Sequence, residues 1–513
     1  MEMTKLIKHL NIIEVKNAQD IEITGIAYNS RKVEKGQVFV CVKGFKTDGH
    51  KYAGQAVEKG AIALVVESFI EGLNIPQYKV ESGRTALAIL ADAFYDHPTR
   101  KLKTIGITAT NGKTSTSFMT NAILENHDLI TGLMGTVVVK IGDYAEPSEL
   151  TTPESLDLQR FYAQMVEAGV THTTMEVSSS ALELNRVACV DFDIVTLNNI
   201  SREHIDLHSS FENYFAHKSS LIRNAGADKV AILNLDDSYS ASLVDQTKAK
   251  VITIGVEDQS ADVICHNLDL STGRASFTVE IMRELITNDV VIPKQQFQIE
   301  LSTPGFHSVY NSMVSIVIGL LCEVPVTTIQ KSLFEFVGVE RRFEIIFEDD
   351  FKIIDDHFAN SGNIDITLGT LEKMDFTRIL LVYAIRGDRG VTVNKENAEA
   401  IARWAPRLGI HEVTATLSRS HVTQKDVVSE AELAAFMEVM DDAGIQVHLY
   451  EELPEAIRYS MNMVEEGDLV LLGGCQGMDF GAKFALEQLE TIRPNVDKKK
   501  LFQPLEKRVA GNS

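Results

Sequence analysis

From residue 104 onward the chain alternates short apolar runs rich in β-branched residues with longer stretches of helical period. That alternation restricts it to an α/β fold. The first set of runs falls at residues 104–108, 172–177, 194–198, 230–234 and 251–254. Nearly continuous apolar strands separated by helical segments imply a parallel sheet covered on both faces. A second set, at residues 351–355, 379–384, 412–416, 446–450 and 469–472, repeats the pattern and predicts a further unit of Rossmann type. Between the two sets, residues 263–301 alternate polar with apolar side chains, as in Ser276-Phe277-Thr278-Val279, which predicts an antiparallel insertion. Helical pattern resumes at residues 309–322. Before residue 98, β-type runs at 37–42 and 61–66 alternate with helical stretches at 54–59 and 85–95, and the first fifteen residues read as an amphipathic helix.

At 513 residues the chain is too long for one ordinary domain. His97-Pro98-Thr99-Arg100 is placed as a hinge, because the residue before a proline disfavours helix. The expected organisation is α/β in three domains: an N-terminal α/β domain over 1–98, a central parallel-sheet domain of P-loop type over 99–340, and a C-terminal Rossmann-like domain over 341–495. A basic tail over 496–513 is expected to be solvated or loosely docked. The 49 basic residues against 72 acidic ones give a formal charge of −23, which argues against a general binder of nucleic acid or membrane surfaces. A phosphate site stays open to such a chain, since it is built locally from backbone N–H groups and a few cations. The five cysteines lie far apart with no CxxC pair and read as free thiols. No apolar run is long enough to span a bilayer, so a soluble cytoplasmic protein is expected.

The chemistry is concentrated at the end of the first central strand. The string Thr104-Ile105-Gly106-Ile107-Thr108-Ala109-Thr110-Asn111-Gly112-Lys113-Thr114-Ser115 reads as strand, tight loop and helix start. Such a loop turns successive backbone N–H groups toward phosphate oxygens, with Lys113 placed to neutralise phosphates and the Thr114 hydroxyl to ligate Mg²⁺. Five residues, not four, separate Gly106 from Gly112, so the spacing is not the standard P-loop. A second apolar strand ends at Glu176, where a carboxylate is needed as a Mg²⁺ ligand. Read singly, Glu176 is better taken as a solvated glutamate, Lys218 as a surface helix lysine and His204 as a loop cap.

Several motifs in order are more specific. Ala109-Thr110-Asn111-Gly112-Lys113-Thr114 resembles the GTNGKT loop of the Mur ligases, with Ala109 in place of the usual glycine. Thr151-Thr152-Pro153-Glu154, Glu176-Val177-Ser178-Ser179-Ser180-Ala181-Leu182, the stretch Asn198 to His208, and Glu212-Asn213-Tyr214-Phe215-Ala216-His217-Lys218 resemble the tripeptide-synthetase branch of that family. The resemblance implies that Thr110, Asn111, Gly112, Lys113, Thr114 and Ser115 bind ATP. It implies that Thr114 and Glu176 serve one Mg²⁺, and that His204 and Lys218 serve a second, the lysine being carbamoylated in the family. Lys113, Glu176, His204 and Lys218 would then carry catalysis. Thr151, Thr152, Ser178 and Arg186 match positions that hold the muramoyl peptide, and Ser30 lies in a segment resembling the family's uridine-end DSR. Gly305-Phe306-His307-Ser308-Val309-Tyr310-Asn311 resembles the turn beside adenine, which carries over His307 and Asn311. Arg342 matches the arginine of the family's GRFE segment.

The C-terminal third departs from the family where the incoming amino acid is chosen. Asp355-Asp356-His357-Phe358-Ala359 stands for DYAHxPD, with the histidine displaced and the proline absent. The DNPR segment is missing, and Arg419 alone remains in the corresponding stretch. Asp479 stands for the glutamate of GKGHE. The implied activity is ATP-dependent ligation of an amino acid, of the L-lysine or meso-diaminopimelate class, to UDP-N-acetylmuramoyl-L-alanyl-D-glutamate through an acyl phosphate. The partners are then two small molecules, with no nucleic acid and no membrane insertion. Two alternatives stand beside it: a paralogue that ligates another amine or acts on a related peptide, and a non-catalytic nucleotide-binding relative.

Overall fold

The computed structural model describes residues 1–513 except 45–46, 202–209, 271–273, 507 and 509–513. It divides into two compact units, one of Met1–Val263, Met282–Lys294 and Val314–Thr328, the other of Ile264–Ile281, Gln295–Met313 and Ile329–Ser513.

The first unit holds two sheets. The smaller has strand order Glu14–Lys16, Gln77–Lys79, Ala63–Val66, Gln37–Val40, Gly25–Ala27, parallel throughout except for the antiparallel pairing of Glu14–Lys16 with Gln77–Lys79. The amphipathic N-terminus forms only the short helix Met3–Ile7, whose Met3 and Leu6 are buried against this sheet, before the chain turns into its edge strand. In the larger sheet the order runs Lys250–Gly255, Val230–Asn234, Ile194–Leu197, Lys103–Thr108, His172–Glu176, Thr131–Met134, all parallel. An antiparallel pair, Val138–Ile141 and Tyr144–Pro147, follows at the edge. Ile194–Leu197 and Val230–Asn234 are buried at every position, as their largely apolar sequence predicts.

The expected hinge is a 3₁₀ turn, Pro98–Lys101, with Pro98 and Thr99 buried. His97 enters it in the left-handed region at φ 51° and bonds Asp92 at 2.6 Å, while the Thr99 hydroxyl accepts from Asp191 N at 3.3 Å.

In the second unit, six strands take the order Glu344–Glu348, Lys352–His357, Leu469–Gly474, Ile379–Ala384, Glu412–Thr416, Gln446–Tyr450, with only the first antiparallel to its neighbour. Its strand Ile379–Ala384 shows why the sequence reads as continuously apolar. Ile379, Leu381 and Tyr383 pack on helices Ser361–Leu371, Gly390–Leu408 and Glu430–Asp442, while Leu380, Val382 and Ala384 pack on Leu453–Met461 and Gly481–Ile492. The antiparallel insertion is present as Arg274–Ile281 paired with Gln295–Pro304, and the apolar helix expected at 309–322 is Phe306–Leu321.

The tail corrects the sequence reading. Asp497 caps a helix at Lys498–Phe502, Leu501 is buried in the apolar core beside Leu486 and Leu489, and Arg508 lies 6% exposed. Its guanidinium bonds Asp355 at 2.7 Å and also pairs with Glu344. Basic composition pointed to solvent, but buried carboxylates on the preceding domain supply a partner that composition does not reveal. No helix among the described residues is long and apolar enough to cross a membrane, and none of the five cysteines forms a disulfide.

Candidate active site

The loop after strand Lys103–Thr108 turns into helix Lys113–Glu125 at Gly112, whose φ of 87° is a left-handed conformation that glycine adopts without Cβ strain. Asn199 clamps this loop: its Oδ1 accepts from Asn111 N and its Nδ2 donates to Asn111 O, both at 2.9 Å. Thr110 is tied by its N–H to Asn199 O at 2.9 Å, and its hydroxyl meets the Tyr214 hydroxyl at 3.0 Å. Lys113 Nζ folds onto the loop, donating to Ala109 O at 2.8 Å and Thr110 O at 2.9 Å. Ser115 lies half-buried in the helix's first turn.

Glu176 is fully buried at the end of the neighbouring strand, which excludes the reading as a solvated glutamate. Its carboxylate accepts from the Thr114 hydroxyl at 2.9 Å, from Thr136 N at 2.9 Å and from the Thr136 hydroxyl at 3.0 Å. Thr136 and its neighbour Gly135 escaped the sequence reading, because residues 131–134 were not recognised as a strand. The signal was the short apolar run ending in Met-Gly-Thr. A side chain at Gly135 would collide with Glu176 Oε1. Gly135→Ala is therefore expected to displace the carboxylate and cut turnover by roughly tenfold or more, with the melting temperature nearly unchanged. Comparing kcat with thermal unfolding checks this.

Lys218, on helix Phe211–Arg223, is 2% exposed. Its Nζ donates to Ala109 O at 2.6 Å and Thr108 Oγ1 at 3.2 Å, and stands 5.2 Å from the Tyr214 ring centre. It is not a surface lysine. His204 lies outside the described residues.

Next to Glu176 is a polar cluster. The Thr152 hydroxyl donates to Glu176 O at 2.8 Å and lies 3.2 Å from Ser178 Oγ, and Thr151 Oγ1 is 3.2 Å from Thr136 Oγ1. Arg186 donates to Thr152 O at 3.1 Å and pairs with Glu154 at 2.8 Å. Ser30 is buried at the N-terminal sheet, bonded to Gln55 at 2.8 Å.

In the second unit, His307 is only half-buried as a residue, but its Nδ1 is sealed from solvent without a hydrogen-bond partner. Burial pushes its pKa down to about 4, so the ring is neutral at physiological pH. It lines a cavity of about 420 Å³ with Phe306, Tyr310, Lys373 and Trp404. Asn311 is buried on the same helix. Arg342 donates to Arg341 O at 3.0 Å, and it is Arg341 that carries the buried ion pairs, with Asp355 at 3.4 Å and with Asp479. Arg419 is exposed and paired with the equally exposed Glu451.

A strand–loop–helix phosphate cradle with a buried carboxylate on the adjacent parallel strand defines a nucleotide-dependent enzyme of α/β type. Comparison with known proteins specifies it. Residues 22–95 match the model of the Mur ligase family, catalytic domain; residues 107–319 match the Mur ligase middle domain; residues 341–476 match the Mur ligase, glutamate ligase domain. The UDP-N-acetylmuramoyl-L-alanyl-D-glutamate--2,6-diaminopimelate ligase of Caldanaerobacter subterraneus subsp. tengcongensis is 34% identical over 476 residues, 92% of this chain and 93% of the relative. That of Bacillus velezensis is 35% identical over 485 residues, 92% and 94% of the two chains. A solved structure of a ligase of the same name, 22% identical, superposes with a TM-score of 0.63 over 92% of this chain and 93% of that one. The chain belongs to the Mur ligase family and is an ATP-dependent, ADP-forming amide ligase.

Proposed function

We propose that this ligase joins an amino acid of the diaminopimelate or lysine class to UDP-N-acetylmuramoyl-L-alanyl-D-glutamate in the cytoplasm. The observation that carries the reading is the shared position of Glu176: its side chain receives Thr114 of the phosphate loop, and its backbone carbonyl receives Thr152 of the muramoyl-peptide cluster. One strand end thus serves both the nucleotide and the acceptor. A carboxylate oxygen is a poor leaving group, so the substrate carboxylate takes the γ-phosphoryl of ATP to give an acyl phosphate and ADP. The amine then attacks the carbonyl carbon, the C–O bond to phosphate breaks, phosphate leaves and a proton is lost from nitrogen. Positioning and charge neutralisation supply most of the rate. The relatives' names support this acceptor and amine.

The phosphate loop residues Thr110 to Ser115 would hold the ATP phosphates, with Lys113 exchanging its two loop carbonyls for phosphate oxygens. Lys113→Ala is expected to lower turnover about a hundredfold, measured as ADP release. His307, Asn311 and Arg342 would face the adenine end, and Thr151, Thr152, Ser178, Arg186 and Ser30 the muramoyl-peptide and uridine ends. The hydroxyl and carboxylate of Thr114 and Glu176 are hard oxygen donors that fit Mg²⁺, which takes few protein ligands beside phosphate and water. As an unmodified ammonium, Lys218 does not fit a cation. Carbamoylation, in which its neutral amine adds CO₂ and releases a proton, would make it an anion that does. Mg²⁺ supplies neutralisation of phosphate charge when bound.

Purified protein given this acceptor, ATP, Mg²⁺ and a mixed amino-acid pool is expected to release ADP and form one new amide. Mass spectrometry of the product identifies the amine, and absence of ADP with every amino acid would refute the reading. The same chemistry with a different amine is the second reading. It is favoured by the pairing of Asp479 with Arg341 and of Arg419 with Glu451, the two side chains expected to meet the incoming amino acid. The three-domain boundaries at 98, 340 and 495 remain part of this proposal.

A further inference from the structure

Glu154 is gripped from both sides. Its Oε1 lies 2.8 Å from Arg186 Nη2, and its Oε2 lies 3.4 Å from Arg84 Nη1. All three side chains are under one-fifth exposed. Arg84 comes from helix Gly83–Phe94 of the N-terminal segment and is itself anchored, its Nε donating to Lys43 O at 2.9 Å. Arg186 comes from the central segment and holds Thr152 O through Nη1, leaving its buried Nε without a hydrogen-bond partner. Burial lowers the Arg84 pKa, an effect that Glu154 opposes and the nearby Arg186 reinforces. Two like charges packed round one carboxylate repel each other, so the arrangement holds only while Glu154 divides its oxygens between them.

We propose that Arg84 is a positioning residue for the acceptor substrate, acting through Glu154 to fix the Arg186 guanidinium with its unpartnered Nε–H presented to an anionic or amide oxygen of the ligand. An arginine held at two points loses less freedom on meeting a ligand than one held by Thr152 alone, and that saving appears as affinity for the acceptor. The choice of acceptor rests on the proposed function; the relay through Glu154 does not.

The test is a double-mutant cycle. Arg84→Gln is expected to raise KM for UDP-N-acetylmuramoyl-L-alanyl-D-glutamate about tenfold, leaving KM for ATP unchanged and kcat within about twofold. In the Glu154→Gln background the same substitution should add less than a twofold change, because the link is already cut. Full additivity, or an equal rise in KM for ATP, would overturn the relay. Should Arg84→Gln not fold, Arg84→Lys takes its place with a smaller rise of severalfold, since lysine keeps the charge but loses the fork that spans Glu154 and Lys43 O. A reading without substrate comes from the ¹H–¹⁵N signal of Arg186 Nε, assigned with Arg186→Lys: sharp in the wild-type protein, broadened or averaged in the Arg84 variant. An unaltered signal would refute the relay. Wild-type protein inactive with this acceptor, while the Arg84 variant shows the broadening, would refute only the proposed substrate.

Discussion

Lys218→Ala is expected to reduce ADP release on the order of a thousandfold, the upper range for removing one preorganised charged group, and added short carboxylic acids are expected to restore part of it. The side chain is almost wholly buried behind the loop that follows strand Lys103–Thr108, where its ammonium donates to Thr108 Oγ1 and Ala109 O. A cation so deeply buried is costly and would oppose a metal beside the phosphates. As a carbamate it would carry the opposite charge at the same place. Alanine leaves a cavity that a small carboxylate can enter, so rescue separates lost charge from lost packing. Steady-state ADP release with and without acetate measures both, and full activity in the variant would remove Lys218 from the chemistry. A variant inactive with and without acetate, but with an unchanged melting temperature, would argue for a side chain needed in a geometry that acetate cannot copy.

Arg508→Ala is expected to cost about 3–5 kcal/mol of stability, the usual penalty for removing one partner from buried ion pairs, here taking a guanidinium from Glu344 and leaving Asp355 to Arg341. Asp355 has no exposed surface, Glu344 is largely covered, and the same guanidinium pairs with both. Burial works against the Arg508 charge, but Asp355 and Glu344 outweigh it and hold the proton more firmly than usual. Burial already raises the pKa of Glu344, with Arg508 pulling the other way. Without Arg508 that carboxyl would rise further, so the folded state would bind protons more strongly than the unfolded one. Stability of the variant should then fall with rising pH above the ordinary carboxylate range, and the deficit should be smaller at pH 4.5 than at pH 7.5. Urea unfolding at the two pH values checks both statements. A midpoint equal to that of the wild-type protein would mean that the tail docks without contributing. Deletion of residues 495–513 should reproduce the loss and add the burial of Leu501.

The strands that read clearly in the sequence are those buried on both faces. Ile379–Ala384 alternates its side chains between two helical layers, so every position is apolar and the run stands out. Edge strands did not read so clearly. Glu344–Glu348 at a sheet edge and Val138–Ile141 next to one pair antiparallel, with mixed burial and apolar runs of only three residues to mark them. The loop before helix Lys113–Glu125 was legible because its signals are local: Gly112, Lys113 and Thr114 are consecutive, and a left-handed turn before a helix favours glycine in that place.

Sequence alone thus determined the α/β class, the strand–loop–helix turn that carries Gly112, Lys113 and Thr114, and the family, each through residues adjacent in the chain or motifs in fixed order. Tertiary structure decided what depends on partners far away in sequence. It buried Glu176 and closed it with Thr136, forty residues earlier. It turned a basic tail into a docked segment by bringing Arg508 to Asp355, 153 residues back. It set Arg84 and Arg186 on one carboxylate. A charge declares its type in the sequence, but whether it is solvated or paired depends on distance and burial, which only the folded chain defines.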